Sequence, residues 1–246
     1  MFSLQDQEQL QKLMAENPDN QILINKLLDS HQYTLSKISH EIRNPLTMIS
    51  STLQLIEKQH PEVHEYSHWS DVQNDIAFME KLLEDLSSYN NGSHIQKKQI
   101  HTSAFLNYTA LSFASAYADS PIEFTSEIDQ NLSDIQGDSI KLQQLFLNLL
   151  RNALEATSYH GKIHMTASQT SDHICITITD NGCGIPASLL PDIFTPFTTY
   201  KENGTGLGLA IAKSVVEAHN GSISVTSVPL EGTTFTVTLP IEKHRH

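Results

Sequence analysis

Cysteine is almost missing from this chain: Cys175 and Cys183 are the only two among 246 residues. They stand eight apart with no CxxC pair, which excludes a disulfide framework and a cysteine-held zinc ion and suits a reducing compartment. Cationic side chains are scarce too. The chain has 15 Lys and Arg against 28 Asp and Glu, for a formal net charge of −13. Nucleic acids and anionic membranes attract proteins through a positive field, so neither is expected as a partner. No apolar run approaches the roughly 18 residues needed to span a bilayer, and Met1 to Leu10 has no apolar signal core. The expectation is a soluble, cytoplasmic chain without membrane insertion, to which a separate sensor protein brings any external signal. Two phosphate-handling signatures are also lacking. No GxxxxGK(S/T) loop occurs, which excludes a P-loop protein. No HRD or DFG set occurs, which excludes the usual protein-kinase site.

What is present is enough apolar content, 39%, for one large domain or two small ones. Residues 1–20 are polar, read as a weak helix, and end in the breaker cluster Asn17-Pro18-Asp19-Asn20. From Gln21, Leu28, Leu35, Ile42, Ile49 and Ile56 recur seven apart, with Ile24, His31, Ile38 and Leu53 near a second seam. This is a coiled-coil type of repeat, and His60-Pro61 breaks it. A second helix carries Trp69, Val72, Ile76, Met79, Leu83 and Leu86 at three- and four-residue spacing and stops at Asn91-Gly92. The two helices predict an antiparallel hairpin with more apolar surface than one partner covers, so dimerisation into a four-helix bundle is expected. After Gly92 the elements shorten. Helices are predicted over 101–117, 139–157 (capped by Asp138) and from about 205 to 219; strands are predicted over 121–128, 162–168, 173–179, 222–227 and 233–239. The fold class is α+β: the hairpin, then a two-layer α/β sandwich. The domains run 1–20 (extension), 21–93 (hairpin) and 94–246 (sandwich).

Four groups of residues carry chemistry. His40 lies two positions from both Ile38 and Ile42, about 200° around a helix from the seam, and so faces solvent. Glu41 could take a proton from one imidazole nitrogen and free the other for attack. Asn44 follows one turn later on the same face, and Pro45 interrupts the helix ladder. Asp180 ends a strand of Ile174, Ile176 and Ile178 beside Gly182 and Gly184, where a carboxylate could accept a hydrogen bond from a base amine. Gly204-Thr205-Gly206-Leu207-Gly208-Leu209 opens a helix, and glycine-rich amides at a helix start bind phosphate. Asn148 and Asn152 stand one turn apart on a helix whose Leu145, Leu149 and Ala153 face the core, and two amides on one face could ligate Mg²⁺. Taken singly, each group also has a plainer reading: a surface histidine, an Asp-Asn-Gly turn, a capped loop, two solvated asparagines.

In order along the chain, Ser39–Thr47, Asn148–Ala156, Asp180–Pro186, Ile193–Phe197, Gly204–Leu209 and Glu231–Phe235 resemble the H, N, G1, F and G2 boxes and the closing hairpin of bacterial sensor histidine kinases. The resemblance covers residues 30–240. It implies a dimerisation and phosphoacceptor hairpin followed by an ATP-binding domain of the Bergerat (GHKL) type. It further implies that His40 attacks the γ-phosphate of ATP with Mg²⁺ present, with Glu41 as general base, and that the phosphoryl group passes to an aspartate on a response regulator receiver domain. Asp180 would read adenine, Asn152 would hold Mg²⁺ with Asn148 beside it, and residues 195–206 would form a lid. Nucleotide contacts are assigned to Asn148, Asn152, Asp180, Gly182, Gly184, Ile185, Phe197, Lys201, Gly204, Thr205, Gly206, Leu207 and Gly208. Glu41 and Asn44 would also serve dephosphorylation of the regulator. Thr198-Thr199-Tyr200-Lys201 departs from the family's Phe-Thr-Thr-Lys but keeps the lysine. The family's usual sensor modules are not seen. The alternatives are a phosphotransfer scaffold, a phosphatase-biased homologue, and a chaperone- or repair-type ATPase of the same superfamily.

Overall fold

The computed structural model describes residue 13 and residues 17–92, 95–158, 160–201 and 204–241. Apart from Leu13, which is helical, the weak helix expected before Asn17 lies outside these residues. The chain divides into two compact units, Met1–Asn91 and Gly92–His246.

The first unit is a helical hairpin. Helix α1 runs Pro18–Gln59, with Pro45 inside it, and α2 runs Trp69–Asn90; a short 3-10 turn, Pro61–Glu65, follows the break at His60. The Asn17 side chain accepts the Asp19 N–H at 2.9 Å, and Pro18 fills a first-turn position that needs no N–H. The helix therefore starts at Pro18, slightly before the sequence reading put it. Leu46, Ile76 and Leu83 form the hairpin core, with Leu53 packed on it, and Ser39 is also buried. Residues 39, 46 and 53 are seven apart, so they make one continuous stripe. The seam that the sequence reading put first is the neighbouring stripe: Ile42 is 49% exposed and Ile49 is 50% exposed in the single chain. Ile38 is exposed as well. One hairpin partner covers only one stripe, and this second stripe is left over.

The second unit is a two-layer sandwich. The sheet order is β2-β4-β5-β7-β6, with strands β2 (Glu123–Ile128), β4 (Lys162–Gln169), β5 (His173–Asp180), β6 (Ser222–Val228) and β7 (Gly232–Pro240). β2 pairs parallel with β4, and the other pairs are antiparallel. The three-residue strands β1 (Lys98–Ile100) and β3 (Ile135–Gly137) pair separately and were not foreseen. Helices α3 (Thr102–Ala116), α4 (Ser139–Ala156) and α5 (Gly208–Ala218) form the other layer. Ile163, Met165, Ile174, Ile176, Ile178, Val237 and Leu239 point into the layer interface, each contributing about 1.5–3 kcal/mol. They meet Leu142, Leu145, Phe146, Leu149 and Leu150 of α4 and Ile211, Val215 and Val216 of α5.

Two caps fix these helices. Asp138 accepts the N–H groups of Ile140 and Lys141, both at 3.2 Å, and that of Gln96 at 3.0 Å. At the far end of α5, Gly221 N–H bonds to Val216 O and Asn220 N–H to Glu217 O, with Asn220 at a φ of +57°. That is a Schellman ending. The α5 start differs from expectation. Gly206 has a φ of +67°, a left-handed conformation no helix interior accepts, so the helix begins at Gly208 rather than near Thr205.

Candidate functional site

In the first unit His40, Glu41 and Asn44 are exposed on α1. The expected solvent-facing position of His40 follows from its distance in phase from the buried stripe. Glu41 lies 3.9 Å from Lys37, one turn earlier, and among the described residues no hydrogen bond joins it to His40. As an exposed side chain it is free to change rotamer.

In the second unit the candidate site gathers around Asp180. Side chains on a strand alternate faces, so Asp180 shares the buried face of Ile174, Ile176 and Ile178. It is only 4% exposed. Burial raises its pKa above the usual carboxylate value, while the N–H groups of Gly182 and Thr233 and the charge of Lys201 oppose the rise. The Gly182 N–H donates to Asp180 Oδ1 at 2.8 Å. Thr233 is the register partner of Asp180 across β5 and β7. It was not singled out from the sequence, although the strand parity of two neighbouring strands carries that signal.

The loop after Asp180 is tied down on three sides. Cys183 N–H reaches Ala156 O at the end of α4 at 3.0 Å. Asn181 Oδ1 accepts the Lys162 N–H at 2.6 Å. Ile185 N–H donates to Ser227 Oγ at 2.7 Å, and Ser227 donates in turn to Gly232 O. Gly184 has a φ of +67°, and a Cβ there would come within 2.2 Å of Val228 O, so no side chain fits. The result is a rigid turn lined by backbone beside a buried carboxyl.

The segment before α5 is anchored at both edges. Ile193 is buried, and Phe194 meets Phe235 edge-to-face with centroids 6.5 Å apart. Phe197 N–H donates to Gly206 O at 2.9 Å, and a Cβ on Gly206 would come within 2.6 Å of the Phe197 backbone. Thr205 is buried, and its hydroxyl accepts the Leu207 N–H at 3.4 Å. Leu207 is 0% exposed, its N–H already donates to Thr205, and its side chain belongs to the core. At Gly208 a Cβ would meet nothing within 4 Å, and the first amides of α5 have no intrahelical partner. That end of the helix suits an anionic group.

Asn148 and Asn152 stand one turn apart on α4, half-exposed at the border of the buried face that holds Leu145 and Leu149. Among the described residues neither side-chain amide has a hydrogen-bond partner, so two hard oxygen donors are free, a set that fits Mg²⁺ completed by water and phosphate oxygens. No group of three or more His, Cys, Asp or Glu among the described residues could hold a metal ion. Lys201 is paired with Glu155 at 2.5 Å, a contact between residues 46 apart that the sequence does not announce. Gly204 N–H donates to Lys201 O. Among the described residues no helix is long and apolar enough to cross a membrane.

Two family models match this chain. Residues 30–92 match the His Kinase A (phospho-acceptor) domain, and residues 137–243 match the histidine kinase-, DNA gyrase B- and HSP90-like ATPase. The chain is 39% identical over 208 residues to the signal transduction histidine-protein kinase AtoS of Escherichia coli K12, covering 84% of this chain and 34% of that protein. It is 35% identical over 206 residues to the sensor histidine kinase ZraS of the same strain, covering 83% and 44%. It is 30% identical over 240 residues to sporulation kinase C of Bacillus subtilis 168, covering 92% and 54%. The chain thus spans between a third and just over half of these relatives. Among solved structures, full-length ShkA in complex with AMPPNP superposes with a TM-score of 0.72 at 23% identity, covering 85% of this chain and 45% of that one; this is a likeness of fold. The catalytic domain of histidine kinase ThkA gives a TM-score of 0.54 at 28% identity, covering 59% of this chain and 95% of that one. With a phospho-acceptor domain followed by a GHKL-type ATPase domain, the chain belongs to the sensor histidine kinases and carries their catalytic core.

Proposed function

We propose that this chain is an ATP-dependent protein-histidine kinase that works as a homodimer, with its core on the cytoplasmic, ATP-containing side. His40 attacks the γ-phosphorus of ATP. A nitrogen–phosphorus bond forms, the bond to the ADP oxygen breaks, and the imidazole proton passes to Glu41. The phosphoryl group then moves from His40 to an aspartate on the receiver domain of a response regulator. Asn44, one turn from His40, orients a water or a phosphoryl oxygen, which also suits dephosphorylation of the regulator. Such transfer needs alignment and charge neutralisation more than covalent chemistry from the protein.

The observation that carries the reading is Asp180, a carboxyl buried under the helix layer beside a backbone-lined turn. Its oxygens have the chemistry to accept an adenine amine, and Gly182, Gly184 and Ile185 leave the base room along the backbone. The amides of Gly206, just before α5, and of Gly208, at its start, take phosphate oxygens, while Phe197, Lys201, Gly204 and Thr205 belong to the covering segment. Asn152 and Asn148 would hold Mg²⁺, which neutralises phosphate charge when bound. The scaffold alternative is not favoured, because the carboxyl, the turn and the helix end are all assembled.

The test is incubation with γ-labelled ATP and Mg²⁺. We expect label on the unsubstituted chain, lost in acid and stable in base, and none on His40→Ala, which still binds ATP. Label retained by His40→Ala would move the acceptor elsewhere.

A further inference from the structure

Glu155 has no part in the reading above, yet it occupies a telling position. Residues 148, 152 and 155 fall within about 60° on one side of α4, so its carboxylate shares the stripe of Asn148 and Asn152. Its partner is Lys201, with Nζ 2.5 Å from Oε2. Two hydrogen bonds hold the Lys201 backbone: its N–H donates to Thr199 Oγ1 at 3.2 Å, and its carbonyl accepts from Gly204 N–H at 3.2 Å. What is free to move is the lysine side chain. The field of that ammonium also reaches Asp180, whose carboxyl it helps to keep ionised. One cation therefore acts on two carboxylates, Glu155 by contact and Asp180 by its field.

We infer that Glu155 is a positioning residue that holds the Lys201 ammonium on the phosphate-facing stripe of α4 until a polyphosphate takes the lysine over. The inference rests on the nucleotide-binding reading above. Exposure of the pair, 46% for the lysine and 39% for the glutamate, sets its strength. An ion pair this open to water is held weakly and yields to a group carrying several negative charges. A buried pair would instead lock the lysine away. Glu155 thus keeps Lys201 in place and competes with phosphate for it.

The experiment compares ATP with adenosine as competitors of a fluorescent adenine nucleotide. The proteins are the unsubstituted chain, Glu155→Gln, Glu155→Asp, Lys201→Met and the Glu155→Gln/Lys201→Met double variant. Glu155→Gln is expected to tighten ATP binding about two- to fivefold, the size of one exposed ion pair, and to leave adenosine unchanged. Glu155→Asp is expected to restore ordinary ATP affinity, and the gain is expected to vanish when Lys201 is Met. Unchanged or weaker ATP binding in Glu155→Gln overturns the inference. So does an equal gain in the Lys201→Met background, which would make Glu155 a through-space charge only. In both cases adenosine binding leaves the nucleotide reading standing. If the unsubstituted chain binds neither competitor, the functional reading fails, and this inference fails with it.

Discussion

Burial beneath the helix layer holds the Asp180 carboxyl above the usual carboxylate range, and the sign of that shift separates its two roles. A carboxyl that binds its proton more tightly in the folded chain favours folding at low pH; this stability is lost as pH rises through the raised value. At neutral pH the ionised carboxylate therefore costs the nucleotide-free domain stability. Asparagine at this position keeps an oxygen for the Gly182 N–H but carries no charge. We expect Asp180→Asn to melt at or above the temperature of the unsubstituted protein at pH 7, and to lose at least about tenfold in ATP affinity. Calorimetric melting and nucleotide titration check the two halves. Full nucleotide affinity would remove Asp180 from base recognition. A lower melting temperature would mean that its hydrogen bonds outweigh its desolvation. Leu207 is the opposite case: a residue named for the ligand by its motif whose side chain serves the core.

Helices α4 and α5 are joined by one buried imidazole. His219 Nδ1–H donates to Val215 O at 2.7 Å, and Nε2 accepts the Asp138 N–H at 2.9 Å. Both nitrogens are committed only if the ring is neutral, and burial holds its pKa below the ordinary histidine value. The unfolded chain thus takes up this proton first, so stability is full above about pH 6.5 and falls as pH drops below it. His219→Ala is expected to cost about 1–3 kcal/mol at pH 7, because the Asp138 N–H loses its acceptor. Relative to the unsubstituted protein, its urea midpoint is expected to fall less between pH 7 and pH 5. A parallel fall would place the acid sensitivity in other groups. This joint also marks where sequence reading stops. The periodicities of β4, β5 and α4 are local, and they placed Asp180, Asn148 and Asn152 on elements that the structure contains. The three-residue pairing of β1 with β3, the bond from His219 to Asp138 and the pair of Glu155 with Lys201 join distant segments that no local pattern connects. The left-handed Gly206 is a different limit: its glycine is visible in the sequence, but the sign of φ that delays α5 is not.

At the scale of the whole molecule, the hairpin carries an imbalance that the single chain leaves unresolved. Its inner stripe, with Leu46 and Leu53, packs on Ile76 and Leu83 of α2, while Ile38, Ile42 and Ile49 on α1 and Val72 and Met79 on α2 stay in water. Each large aliphatic side chain withdrawn from water contributes about 1.5–3 kcal/mol, so a second hairpin on this face gains enough to offset the entropy of association. The two stripes predict different outcomes for single substitutions. Leu46→Ala empties part of the hairpin core and is expected to cost about 2–5 kcal/mol of hairpin stability, read from thermal unfolding followed by helical circular dichroism. Ile49→Glu leaves that core intact but places a charge on the outward stripe, where pairing with a second copy would bury it unpaired. Sedimentation is expected to give twice the chain mass for the unsubstituted protein and the single-chain mass for Ile49→Glu. Nucleotide affinity is expected to be equal in both, since the binding residues lie in the other unit. A dimer that survives Ile49→Glu would show that another surface covers this stripe, and the four-helix bundle would have to be abandoned.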